Sequence, residues 1–259
     1  MKVAVCIRRV PDTSEALVKV DETGKDILKD KLAFTINESD NYALEEALLL
    51  KESANADVTL VTVGSKESTE VLRMGLAKGA AQAALIDEAG LENADGLVLA
   101  RVLASFLSKE QFDLILTGCI AQDIEDSQVG PALAQFLGVP HAAYVTKLEA
   151  KDGKLLVKRE LEGGFLEVEE LAMPCVVSVQ TGGNTPRYAS ILGIKRAGSK
   201  TISETGIGEL GIGSGEAEAR TKLVKLYVPQ VVSAAEMIEG DVPAKAERVA
   251  QLMKGKGLV

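Results

Sequence analysis

Short runs that are almost wholly apolar alternate with longer stretches of helical periodicity through the first half of the chain. Lys2 to Ile7, Val58 to Val63, Ala83 to Ile86 and Asp113 to Leu116 have the content of strands buried on both faces. Between them, Asn37 precedes Glu38-Ser39-Asp40 and a segment in which Ala43, Leu44, Ala47 and Leu48 share one side, the pattern of a capped amphipathic helix. Glu67 to Lys78 predicts a second helix, closed by Gly79 where a C-terminal cap is wanted. Ala94 to Lys109 predicts a third, with Leu97, Ala100, Ala104 and Leu107 on one side, and Val129, Leu133, Phe136 and Leu137 mark a fourth. Strand and helix in regular alternation imply right-handed crossovers and an open, mostly parallel sheet with helices on both faces.

Interruptions and a change of character complete the outline. Pro11 makes Arg8 to Asp12 a loop leaving the first strand, and a polar excursion follows, with alternating Val18-Lys19-Val20 and a turn at Thr23-Gly24. After Pro140, Ala142 to Thr146, Lys154 to Glu160, Leu166 to Leu171 and Val176 to Gln180 are strand-like. The middle two alternate apolar and charged residues across Gly153 and Gly163-Gly164, as an antiparallel extension with one wet face does. A Lys/Arg-containing segment runs to Lys200, then a Gly-rich linker from Thr205 to Gly215, a strand from Leu223 to Val228 and a final helix near Ala244 to Met253. This last third lacks the apolar density to fold alone and reads as an arm that packs against something else. The expected division is a nucleotide-binding α/β domain over 1–184 and an extended C-terminal arm over 185–259.

Composition narrows the function classes. With 259 residues and 46% hydrophobic content the chain can bury a large core, but aromatic residues are only 3% and Trp is absent, so that core is aliphatic. The scarcity of aromatics argues against a base-stacking platform, and a net charge of −9 argues against a phosphate-backbone partner. Nucleic acid is therefore not expected to bind. Cys6, Cys119 and Cys175 are far apart within apolar runs and read as buried thiols of a reducing compartment, without metal-ligand spacing. The first residues are too short a run for a secretory signal, and no run reaches the 18 or so apolar residues of a membrane span. The expectation is a cytoplasmic protein that is not embedded in a membrane.

Candidate chemistry gathers at the stretch from Thr117 to Pro131. A buried strand, a Gly-punctuated loop and a helix start follow one another there, which places the loop at the carboxyl end of a parallel strand. Ligands collect at such ends, and the free N–H groups that open the helix favour an anion. Asp123, Glu125 and Asp126 are expected to complement the helix dipole and cap its first turn. A carboxylate repels a phosphate, so an anionic group should meet Ser127, Gln128, Val129 and Gly130 instead. Asn37 and Gly64 end other segments on the same rim, and with Cys6 and Gly118 they would line one pocket. The single histidine, His141, reads as structural because the sequence offers no orienting partner. Neither a Gly-x-Gly-x-x-Gly nor a Gly-x-x-x-x-Gly-Lys-Ser/Thr signature is present, and no Gly-x-Ser-x-Gly elbow, so stand-alone catalysis is not expected.

Several ordered motifs resemble one family, the beta subunit of electron transfer flavoprotein. They are Arg8-Arg9-Val10-Pro11-Asp12, Asn37 ahead of Ala43-Leu44-Glu45-Glu46-Ala47, Ala77-Lys78-Gly79-Ala80 and the loop just described. They continue through Val157-Lys158-Arg159-Glu160-Leu161-Glu162-Gly163-Gly164, Leu171-Ala172-Met173-Pro174 and Pro186-Arg187-Tyr188-Ala189. The resemblance runs nearly the whole chain, and 157–179 matches the family signature.

The resemblance implies a Rossmann-like domain whose C-terminal arm wraps an alpha subunit, the partner that holds most of the redox-active FAD. The beta subunit would clamp that flavin, carry a nucleotide and recruit flavin dehydrogenases, acyl-CoA dehydrogenases of fatty acid oxidation among them. Electrons would pass on to a quinone reductase or similar acceptor. Cys6, Asn37, Val63 and the loop containing Gly118, Asp126, Ser127, Gln128, Val129 and Gly130 would contact the nucleotide. Pro186, Arg187, Tyr188 and Ile191 would form the partner-docking segment within 185–200, with Ile191 where the family presents an anchoring Leu. AMP-binding members carry Asn-Gln-Thr-Gly in the loop, whereas Ser127-Gln128-Val129-Gly130-Pro131 is similar to the electron-bifurcating branch, which holds a second FAD there. Glu38-Ser39 also stands where many members place Pro after the Asn. AMP, the commoner ligand, and a second FAD both stay open, as does a non-redox nucleotide-binding regulatory module.

Overall fold

The computed structural model describes the chain apart from residues 15, 92–93, 152, 214, 231–234 and 236. Its described residues form two compact units, Met1–Lys225 and Leu226–Val259. In chain order the first contains β1 (Lys2–Cys6), β2 (Arg9–Pro11), β3 (Phe34–Ile36), α1 (Glu38–Ala54), β4 (Asp57–Gly64) and α2 (Thr69–Lys78). It continues with β5 (Gln82–Asp87), α3 (Gly96–Leu107), β6 (Leu114–Gly118), α4 (Val129–Leu137), β7 (His141–Lys151) and β8 (Lys154–Glu160). Then come β9 (Leu166–Ala172), β10 (Cys175–Val179), α5 (Ile191–Ser199) and β11 (Ser203–Gly206).

Nine strands form one sheet in the order β11-β5-β4-β1-β6-β10-β7-β8-β9, and β2 pairs with β3 apart from it. Every pairing from β11 to β7 is parallel, while β7, β8 and β9 run antiparallel. This is the expected open, mostly parallel sheet with an antiparallel extension. Successive residues of the central strands enter opposite cores: Val3 and Val5 join Leu44, Leu48, Leu72 and Leu76 of α1 and α2, whereas Ala4 and Cys6 join Val98, Val102, Leu103 and Leu133 of α3 and α4. Burial on both faces is why these strands carry apolar residues at every position rather than at every second one.

The order of strands fixes where a ligand can sit. From β1 the chain steps outward through β4 to β5, then returns to β6 on the other side of β1. The crossovers leaving β1 and β6 therefore depart in opposite directions, and a crevice opens above the carboxyl ends of these two strands.

Several expectations need correction. Arg9–Pro11 is a strand, paired with Phe34–Ile36, and not only a loop. Asn37 is the N-cap residue of α1 by position, but its side chain makes no capping bond. Phe136 is not on the buried face of α4; it is exposed, with the Arg101 guanidinium 4.5 Å from its ring centroid. The expected boundary at 184 lies inside the first unit. Residues 185–225 fold onto the domain, because α5 packs on α2 and β11 extends the sheet beside β5. The Gly-rich linker thus begins in β11 and continues in a short 3-10 turn over Ile207–Leu210; Ser214 lies outside the described residues. Leu223 to Val228 is irregular rather than a strand. In the second unit, α6 (Val242–Gly255) is the expected terminal helix, capped by Asp241, whose Oδ1 accepts the Ala244 N–H at 3.0 Å.

Candidate functional site

A cleft of about 600 Å³, open mouth included, lies at the β1–β6 switch point. Its walls include Cys6 and Arg8 from the end of β1, Val63 from β4, Leu99 and Leu103 from α3, and the loop that joins β6 to α4. Of the residues expected to meet a nucleotide, Cys6, Asn37, Val63, Gly118, Asp126, Ser127, Val129 and Gly130 line it together. Gln128 does not, and its N–H is taken by Asp126 Oδ1 at 2.8 Å. Gly64 is also outside the lining; a β-carbon there would fall 2.2 Å from Ser68 Oγ, so close packing is what keeps it glycine.

The loop is held from below by the start of α1. Asn37 Nδ2 donates to the Ile120 carbonyl at 2.8 Å and its Oδ1 accepts the Gln122 N–H at 3.0 Å. Ser39 Oγ donates to the same Ile120 carbonyl at 2.7 Å. Asn37 is buried with both ends of its amide engaged, so the structure makes it a brace for the loop. Asp40 completes the set: Oδ2 accepts the Arg8 N–H at 2.8 Å and Oδ1 the Gly118 N–H at 2.9 Å. A β-carbon on Gly118 would come within 2.4 Å of Asp40 Oδ1 and 2.2 Å of Ser39 Oγ, which excludes any larger residue.

The electrostatics favour an anion at one end of the cleft only. Helix geometry leaves the Val129 and Gly130 N–H groups at the start of α4 without intrahelical acceptors. Two of the three acids of the loop are occupied elsewhere. Asp123 pairs with Arg8, whose Nη2 lies 2.7 Å from Oδ2, and Asp126 bends back onto Gln128 while its Oδ2 lies against Gly96. The expected capping of α4 by these acids is therefore confined to the local turn at Asp126, since the helix's own N-cap, Gln128, makes no side-chain bond. Beneath Gly130 lies a buried hydroxyl chain, with Thr117 Oγ1 3.0 Å from Ser178 Oγ and His141 Nε2 2.9 Å from the same oxygen. His141 is thus hydrogen-bonded and half-buried, and burial together with Arg159 lowers its pKa.

Sequence reasoning missed Asp40, Leu99 and Leu103 as parts of this cleft, and Ser39 as a brace of its loop. Asp40 carries a discernible signal, an acid inside the buried turn of an otherwise amphipathic helix, but its partners are 32 and 78 residues away. The three cysteines are buried and unpaired, as expected; burial pushes Cys175 up to about 11, and burial followed by Asp40 raises Cys6.

The segment expected to dock a partner divides into two kinds of residue. Tyr188 and Ile191 are 97% and 89% exposed, with Leu192 and Ile194 also exposed beside them. Arg187 is turned inward: its Nη2 lies 2.8 Å from Glu45 Oε1 and its Nη1 2.6 Å from Glu52 Oε1, which together raise its pKa. Asn184 reinforces that anchor by donating to the Tyr42 carbonyl and to Glu46.

Residues 26–207 match a family model described as the electron transfer flavoprotein domain. The chain is 35% identical to the electron transfer flavoprotein subunit beta of Methylophilus methylotrophus, covering 98% of each. It is also 35% identical to that of Bacillus subtilis over all of both chains. The caffeyl-CoA reductase-Etf complex subunit CarD of Acetobacterium woodii is 33% identical, with 93% of this chain and 92% of the relative covered. No described helix is long and apolar enough to cross a membrane. With a full-length likeness of this kind on a mostly parallel α/β sheet, the chain belongs to the electron transfer flavoprotein family, as one of its beta subunits.

Proposed function

We propose that this beta subunit pairs with an alpha subunit, binds AMP in the β1–β6 cleft and helps hold the FAD of a heterodimeric electron carrier. The carrier takes electrons from flavin dehydrogenases, acyl-CoA dehydrogenases among them, and delivers them to a quinone reductase or similar acceptor in the cytoplasm. One observation carries the nucleotide assignment: Val129 and Gly130, whose N–H groups helix geometry leaves without intrahelical acceptors, line a cleft beside which Asp123 and Asp126 are already engaged. That donor set suits a phosphate. The flavin supplies the electron chemistry when bound, while the chain supplies position and access.

The exposed Tyr188 and Ile191, on a segment anchored through Arg187, suit an anchor that fills a partner's pocket. In the second unit, Val242, Val249 and Met253 of α6 are exposed apolar residues, which supports packing on the alpha subunit. A second reading, an electron-bifurcating complex with FAD in the beta-subunit cleft, is favoured by Gln128-Val129-Gly130 and by the likeness to CarD.

Co-expression with the alpha subunit, followed by release and identification of the bound nucleotides, tests these readings. A yellow heterodimer with one FAD and one AMP is expected. Two FAD would replace AMP by the second reading, and a colourless homodimer would overturn both.

A further inference from the structure

Asp40 is a buried acid of α1 whose carboxylate reaches two other elements. Its two oxygens accept the N–H groups of Arg8 and Gly118, which lie just beyond β1 and at the end of β6. The ladder between these strands pairs Val3 with Leu114, Ala4 with Ile115 and Val5 with Leu116, and goes no further. Past Leu116 the two backbones diverge around the cleft, and one carboxylate bridges the gap between them. Both loops that wall the cleft leave from these two amides. Gly118 has room for nothing larger than hydrogen against Asp40 and Ser39, so the bridge is a close fit.

We infer that Asp40 is a positioning residue whose ionised carboxylate sets the separation of the β1 and β6 ends, and through it the grip of the cleft on its nucleotide. The inference rests on the nucleotide reading above. An ionised carboxylate accepts strongly at both oxygens, whereas the protonated acid keeps one good acceptor and turns the other into a donor. Protonation therefore leaves one of the two amides without a strong partner, and the strand ends part.

The surroundings place this change near neutrality. Burial pushes Asp40 up to about 7, against the pull of the Arg8, Asn37 and Gly118 hydrogen bonds and the Arg8 charge. The charged and titratable groups that face it are Cys6 on β1, Cys119 in the loop after β6, and Arg8. Burial and Asp40 itself both raise the two thiols, so they stay neutral as Asp40 titrates. Arg8 is held by Asp123. Asn37, the N-cap of α1, and Ser39 are neutral.

The test measures AMP affinity of the alpha–beta heterodimer from pH 5.5 to 8.5 for the wild type and for Asp40→Asn. Dividing one affinity by the other removes the titration of the phosphate itself. Losing a charged hydrogen bond makes the expected ratio about 10-fold or more at pH 8.5, shrinking toward one at pH 5.5. A ratio near one throughout overturns the inference. As a measurement that needs no variant, amide protection at Arg8 and Gly118 in the wild type should fall as pH drops through about 7, and constant protection overturns it equally. A wild type that binds no AMP sinks the nucleotide reading instead, and the protection measurement still decides whether Asp40 holds the strand ends.

Discussion

Arg8 and Asp123 form a two-pronged ion pair between the loop after β1 and the loop after β6, with Arg8 Nε 2.9 Å from both carboxylate oxygens and Nη2 2.7 Å from Oδ2. The partners are 115 residues apart in sequence, so the pair joins the two sides of the cleft. Both side chains are partly exposed, and pairs of that kind contribute at most about 1 kcal/mol to folding. Asp123→Asn should therefore leave the melting temperature nearly unchanged. It should also release bound nucleotide several-fold faster, because the loop loses its tie to β1. Stopped-flow release of a fluorescent AMP analogue checks this, and an unchanged rate would show that the pair is only a surface ornament of the loop.

Gly130 should not tolerate alanine. A β-carbon there would stand 2.0 Å from Ser178 Oγ and 2.9 Å from Thr117 Oγ1, both in a buried cluster. Overpacking of this kind costs about 1–3 kcal/mol. Gly130→Ala should lower thermal stability by that amount, and adding Ser178→Gly, which removes the nearest atom, should recover part of it. Thermal denaturation of the four proteins of the cycle reads the coupling, and strictly additive losses would contradict the packing account.

Ile191 and Arg187 should behave differently although only three residues separate them. Ile191→Ala removes an exposed side chain, so it should leave folding and bound flavin intact while weakening electron transfer from a dehydrogenase about 10-fold, the scale of a hot-spot truncation. Steady-state reduction of the heterodimer by a flavin dehydrogenase measures it. Flavin loss in this variant would mean that the segment serves the alpha subunit.

Arg187→Ala should instead loosen the segment's anchor. Glu45, whose side chain is only 7% exposed, would be left buried without its cation. Removing one partner of such a pair costs on the order of 3 kcal/mol. Arg187→Lys should not restore the loss, since a point charge cannot reproduce contacts to Glu45 and Glu52 together. Denaturant unfolding of both variants decides the point.

What the sequence made legible follows from the range of the interaction that fixes each feature. Val3 to Ile7 and Leu114 to Leu116 are buried on both faces, so their apolar runs announce strands without any knowledge of neighbours. The place of Asn37 at the rim was equally legible. Its use was not, because its partners Ile120 and Gln122 are 83 and 85 residues away and a capping bond was the nearer alternative. Ser203 to Gly206 shows no apolar alternation, and β11 exists through backbone pairing to β5 at the sheet edge. Arg187 resembled a docking residue by its position beside Tyr188, while the acids that hold it, Glu45 and Glu52, lie on α1. Ile191 stood out only through family resemblance, since an exposed aliphatic residue carries no signal of its own in a single chain.

Asp40 and His141 should give the pH dependence of stability two opposite slopes. The Asp40 pKa is raised in the folded state, so the native protein binds the extra proton between the usual carboxylate range and about 7. Its contribution is fully present below about pH 4 and is lost as pH rises through 7, because there the fold must bury a charge that the unfolded chain exposes to water. His141 is lowered in the folded state by burial and by Arg159, so its contribution is present above its usual value and is lost as pH falls below it. Between pH 4 and 7 the two oppose each other, and removing one should expose the other. Asp40→Asn should make stability rise with pH more steeply in that window than in the wild type, while His141→Gln should make it rise less or fall. Urea midpoints across pH 4 to 8 for the three proteins separate the contributions, and parallel curves would show that neither group changes its proton affinity on folding. The same ionised Asp40 that costs stability above neutrality is the one that ties Arg8 to Gly118, so the cleft is best formed where the fold spends the most to hold it.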